Sequence, residues 1–138
     1  MRFSVLKIAG WEPLARSVLR IVVGFTFSLH GFQKLLGLFG GMGGKGATAP
    51  LFSLMWTAGV LETFGGLLLI VGLFTRPVAF VLAGEMAFAY FRVHQPRGLW
   101  TIQNGGELAV LYCFVFLYLC TAGPGPVSLD RVFRTSAR

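Results

Sequence analysis

Three acids and three bases interrupt the apolar runs of this 138-residue chain: Glu62, Glu85 and Glu107, and Arg20, His30 and Lys34. A charge at the centre of a bilayer costs at least about 2.5 kcal/mol, so such groups must be protonated, paired or wetted. Each state has its own chemistry: a proton relay, a fixed ion pair, or a site for a cation or polar solute. Glu62 is the most demanding case. It stands near the middle of residues 51–74, a run of 24 residues without Lys, Arg, Asp, His or Pro. At about 1.5 Å per helical residue the run spans roughly 36 Å, against a hydrocarbon core of about 30 Å, which puts Glu62 near the midplane. Ala58, Gly59, Gly65 and Gly66 all project within about 60° of it. Small residues there let another helix backbone approach, so the acid is expected to face other helices and not lipid.

On the first helix, Arg16, Arg20, His30 and Lys34 fall within an arc of about 80°, with Phe27 and Gly31 nearby. Arg16 and Arg20 can snorkel to one interface and Lys34 to the other. His30 lies too deep for that. Sorting by depth gives an outer-half set of His30, Lys34, Glu62 and Glu107, and an inner-half pair of Arg20 and Glu85. Glu62 and His30 are therefore the candidate proton-handling, catalytic residues. Lys34 and Glu107 join Asn104, Phe114 and Tyr118 as ligand-binding lining, the last three sharing the Glu107 face of their helix. Arg20 and Glu85 form a candidate structural ion pair. Glu107 also has a simpler reading, since an acid in a first turn suits the helix dipole. Cys113 and Cys120 lie off that face and about 10.5 Å apart in rise, too far for an intrahelical disulfide. They are expected to be buried, inert thiols, and no metal site is expected.

The elements that must position these groups follow from composition. The chain is 55% hydrophobic and 12% charged, with a mean hydropathy of +0.74, where soluble domains carry about 25% charged residues. This predicts an all-α integral membrane protein of one domain over 1–138, with transmembrane helices at about 14–38, 51–74, 77–93 and 104–121 forming a four-helix bundle. Residues 1–13 read as a basic lead-in with Trp11 at the headgroup level. No secretory cleavage pattern follows the first apolar run, which is expected to stay as a helix. Residues 40–50 read as a plain glycine-rich loop, because Gly46 after Lys45 breaks the phosphate-loop pattern. Thr75-Arg76-Pro77 makes a tight turn, and Gly123 to Pro126 stops the last helix. The net charge of +7 marks orientation and not nucleic-acid binding, because the bases gather at the ends of apolar runs. Arg2, Lys7, Arg16, Arg76, Arg131, Arg134 and Arg138 share one side, against Lys45, Arg92 and Arg97 on the other. Seven against three puts both termini in the cytoplasm.

His30 to Gly37 (HGFQKLLG), Ala58 to Pro77 (AGVLETFGGLLLIVGLFTRP), Asn104 to Tyr112 (NGGELAVLY) and Gly123 to Asp130 (GPGPVSLD) resemble the DoxX family, in order and from Arg20 to Asp130. The resemblance implies a four-helix protein of the bacterial inner membrane. Its members are commonly assigned as oxidoreductases by analogy with a subunit of a thiosulfate:quinone oxidoreductase. Read with the residues, it implies a quinone-linked, non-autonomous redox subunit in the lipid bilayer that takes electrons from a partner protein. A quinone head needs an apolar slot with proton donors and acceptors, which His30, Glu62, Glu107 and Tyr118 can supply. No cofactor is built into the chain. His30 and His94 differ in depth and His94 projects opposite Glu85, which argues against a bis-His haem. Two alternatives stay open: a membrane component or small-solute or proton carrier using the buried acids, and an ionic cluster that only fixes helix register. A homo-oligomer is compatible with each.

Overall fold

The computed structural model describes residues 8–136. Residues 1–7 of the basic lead-in over 1–13, and residues 137 and 138, with Arg2, Lys7 and Arg138 of the charge count, lie outside the described residues. What is described is helical, with one isolated bridge, Met42 to Ala47, in the glycine loop. Helix α1 is Glu12–Leu36, α2 Leu54–Val71 and α3 Thr75–Ala89. A π-helical turn, Tyr90–His94, and a 3-10 turn, Gln95–Arg97, extend α3. Then come a short α4, Thr101–Asn104, a long α5, Glu107–Ala122, and α6, Leu129–Ser136, in the basic tail. The four long helices stand where the apolar runs predict them, with ends shifted by up to four residues.

Local chemistry sets those ends. Pro13 opens α1, where its missing N–H costs nothing, and Gly37, with φ of 68°, closes it in the left-handed conformation. The Ser53 hydroxyl accepts from the Trp56 N–H at 3.1 Å to cap α2. The start of α3 is less ordinary. Phe74 holds a φ of 51°, which costs a side-chain-bearing residue about 1–2 kcal/mol. A distant residue fixes it: the Asp130 carboxylate accepts from the Phe74 and Thr75 N–H groups at 2.7 and 2.9 Å. The TRP turn and the GPGPVSLD segment are thus two halves of one cap.

Among the described residues α2 alone is long and apolar enough to cross a membrane, while α5 is apolar but shorter. The surface nevertheless has the distribution that hydrocarbon selects. Phe25, Phe64, Phe80, Phe88, Leu111 and Phe114 are exposed, while Ser17, Arg20, Ser28, Glu62, Thr63 and Asn104 are buried. That is the reverse of a soluble domain.

Helices α1 and α2 pack along a seam of small residues, Gly24, Ser28 and Gly31 against Gly59, Thr63 and Gly66. A Cβ on Gly66 would lie 2.7 Å from the Gly24 carbonyl oxygen, and one on Gly31 would lie 2.5 Å from the Thr63 nitrogen. Helices α3 and α5 form a second close pair. The two pairs meet through a core containing Phe27, Leu69, Leu82, Met86, Phe116 and Leu119. At the turn end they are stitched together: Arg16 donates to the Ala122 carbonyl, Arg76 to the Cys120 and Thr121 carbonyls, and Arg20 to the Val127 carbonyl at 2.5 Å. Arg16 and Arg76 satisfy the last carbonyls of α5, where a helix dipole favours cations, and Arg20 satisfies a carbonyl of the segment leading into α6.

Two expectations are corrected here. Arg20 does not snorkel, being only 1% exposed. Nor does it pair with Glu85: among the described residues the ion pairs are Arg16–Glu12 and Lys34–Glu62. Side chains on a helix lean toward its N-terminus, so the Arg20 guanidinium reaches down to the tail, away from Glu85. The cysteines are free and half-buried against the core.

Candidate functional site

Above the core, toward the loops, the helix pairs part around a cavity of 590 Å³. Each wall brings at least one polar side chain. From α1 come His30 and Lys34, from α2 Glu62, from α3 Glu85, from the π turn His94, and from α5 Tyr112. Apart from Thr57 of α2, the rest of the wall is apolar, including Phe27, Leu61, Val81, Met86 and Phe88.

The centre of the polar set is a bidentate ion pair. The Lys34 ammonium donates to both Glu62 oxygens, at 2.8 and 2.6 Å. The seam makes this possible, because Gly59 brings α2 against the Lys34 and Leu35 side chains. The Glu62 side chain is 6% exposed and that of Lys34 15%, so the charges have largely exchanged water for each other. Glu85 also faces the cavity, with both carboxyl oxygens buried and, among the described residues, without a hydrogen-bond partner. His30 stands edge-on to Tyr112, their ring centres 6.3 Å apart and planes at 87°. The Tyr112 hydroxyl donates to Thr26 at 3.0 Å, which steadies the ring.

Of the candidates read from the sequence, His30, Lys34 and Glu62 meet here, and Glu85 joins them instead of Arg20. The others do not. Glu107 is exposed in the first turn of α5 and outside the cavity wall, consistent with its dipole reading. Phe114 is 67% exposed, and the Tyr118 hydroxyl donates to Glu12 at 3.1 Å, at the turn end of the molecule. Glu107, Leu111, Phe114 and Tyr118 form the outer stripe of α5, and Tyr118 is about 16 Å of rise from Glu107. A polar residue at the end of an apolar helix does not mark its inner face. The inner face is Ala109, Tyr112, Phe116 and Leu119. Asn104 is buried but works in the loop: its amide donates to the Gly98 carbonyl at 2.9 Å and its oxygen accepts from the Gly106 N–H at 2.7 Å.

His94 is the residue the sequence reading misplaces. Regular α geometry turns it 180° from Glu85, yet both line the cavity. The π turn is the reason: it inserts one extra residue into a turn and absorbs about 100° of rotation. Hydropathy periodicity carries no signal of this. Among the described residues, no three His, Cys, Asp or Glu side chains cluster as metal ligands.

The DoxX family model matches residues 15–95, a span that includes His30, Lys34, Glu62, Glu85 and His94. An uncharacterized protein of Haemophilus influenzae is 45% identical over 131 residues, which is 92% of this chain and 96% of that one. The inner membrane protein YphA of Escherichia coli is 29% identical over 128 residues, 87% of this chain and 91% of that one. No solved structure matches. With the family model covering more than half of its length and a relative aligned almost end to end, the chain belongs to the DoxX family of membrane proteins.

Proposed function

We propose that this chain is a multi-pass protein of the bacterial inner membrane whose cavity binds the head of a membrane quinone, as a subunit of a quinone-linked oxidoreductase. One observation carries the reading: a buried ion pair and an unpaired acid face a cavity whose rim is apolar and exposed. The rim includes Leu54, Met55, Val81, Phe88 and Leu108, so a lipid-dissolved molecule can enter sideways and leave its tail outside. Interconversion of quinone and quinol moves two electrons and two protons. A redox partner protein supplies or takes the electrons. Glu85 supplies or takes one proton at one ring oxygen, because a buried carboxyl without a partner is least costly as the neutral acid, and His30 exchanges the second proton at the other ring oxygen. Lys34, fixed by Glu62, stands as a positive hydrogen-bond donor at the same oxygen.

The test uses Gly84, which lines the cavity and where an added Cβ meets nothing within 4 Å. Protein purified in mild detergent is expected to release quinone on solvent extraction. Gly84→Leu should fold normally, since Leu favours helix over Gly by up to about 1 kcal/mol, yet lose at least about tenfold in quinone content by filling the slot. Wild-type protein that holds no quinone and is not stabilised by decylubiquinone would remove this reading. The two carboxyls against one ammonium would then favour the proton or cation carrier.

A further inference from the structure

We propose that His94 is the proton-exchange residue of this cavity, joining the buried acid Glu85 to water on the loop side. The inference rests on the cavity being the ligand site. Its geometry begins with the hydrogen bond between His94 Nδ1 and the Asn104 carbonyl at 3.2 Å. A carbonyl only accepts, so Nδ1 carries the proton and Nε2 keeps a lone pair free of protein partners among the described residues. The ring is half-buried. One side of it lines the cavity, and Gln95, Pro96 and Arg97 beyond it are exposed. The position is built. The π turn delivers the ring, Asn104 ties Gly98 to Gly106, and Gly106 leaves the room, since a Cβ there would lie 2.8 Å from the His94 Cβ and from the Tyr90 ring. The Asn104-Gly105-Gly106 motif is thus the seat of His94.

Across the cavity His94 faces Lys34 and His30 of α1, Glu62 of α2 and Tyr112 of α5. Glu85 and Tyr90 are on its own helix. Of these, Lys34 and Glu62 are engaged with each other, and Glu85 is the cavity acid without a partner among the described residues. Nine residues and about 13 Å of helix rise at most separate Glu85 from His94, so in this proposal water admitted to the cavity carries the proton between them, and not a single hydrogen bond. A proton from loop-side water binds Nε2 and gives the imidazolium, with Nδ1–H retained. Nε2 then releases it inward, where it restores the acid at Glu85 after Glu85 has given its proton to the ligand.

The test needs no quinone. Full-length protein in detergent at neutral pH is moved from H₂O to D₂O, and the protonated-carboxyl C=O stretch is followed by infrared spectroscopy. Glu85→Gln identifies the Glu85 band by removing it. His94→Gln keeps a donor for the Asn104 carbonyl but carries no exchangeable acid function. It is expected to slow the deuterium shift of that band at least about tenfold in rate. Should that variant not fold, ethoxyformylation of His94 in wild-type protein, verified by mass spectrometry, is expected to slow the shift in the same way. An unchanged rate in either case overturns the proposal, as does the absence of any Glu85 band. Failure to find bound quinone would sink the redox reading and leave this result standing.

Discussion

Lys34 and Glu62 place two charges where neither could exist alone. Removing one partner of a buried pair typically costs about 3–5 kcal/mol, because the other charge is stranded, whereas replacing both with apolar side chains is often neutral. Lys34→Met and Glu62→Leu are therefore each expected to lower unfolding stability by that amount in detergent. The double variant should return to near wild type. If the single changes are as mild as the double, the pair is not the buried structural unit described here. Glu62 facing inward was legible in the sequence, because glycines around an acid in an apolar run leave little else to conclude. Glu85 was misassigned, although the clue was present. Glu62 lies ten residues before Gly72 and Glu85 ten residues after Thr75. Two helices leaving one tight turn carry such positions to equal depth. Matching Glu85 to Arg20 by distance from the interface ignored the direction in which a long side chain leans.

Between elements, glycine serves two opposite purposes. Gly24, Gly31 and Gly66 are absences that let backbones touch, and Gly84 is an absence that leaves space. The same substitution should separate them. Gly66→Leu forces its Cβ against the Gly24 carbonyl and the Ser28 backbone nitrogen, 2.7 and 2.9 Å away, and α1 must part from α2. The overpacking cost is about 1–3 kcal/mol or more, and the Lys34–Glu62 geometry is lost with it. Gly84→Leu should instead leave thermal stability at or above wild type. Equal destabilisation by the two would show that the cavity wall is as tightly packed as the seam. The helices themselves were readable because apolar runs bounded by Gly, Pro and polar loops have few other solutions in lipid. The π turn was not, since it depends on how Tyr90 and His94 pack against Gly106, a contact twelve or more residues away along the chain.

At the scale of the whole molecule, the start of α1, the α2–α3 turn, the end of α5 and α6 share one end. The bonds from Arg16 and Arg76 to α5 and from Asp130 to the turn hold them there. This is the grouping on which the charge count depends. Arg16, Arg76, Arg131 and Arg134 fall at that end, and Lys45, Arg92 and Arg97 in the segments leading to the opposite loops. Arginines engaged with helix carbonyls still resist translocation, since the carbonyls they meet carry only partial charge. The basic end is therefore expected in the cytoplasm. Alkaline phosphatase, active only once exported, should be inactive when fused after Arg138. It should be active when inserted between Gly43 and Gly44, where the backbone has open space on both sides. A fluorescent protein that matures only in the cytoplasm should give the reverse pattern. An active phosphatase at the C-terminus would invert the orientation, and proton exchange through His94 would then face the cytoplasm. Activity at both positions would put the glycine loop and the C-terminus on the same side of the membrane and overturn the expected four crossings.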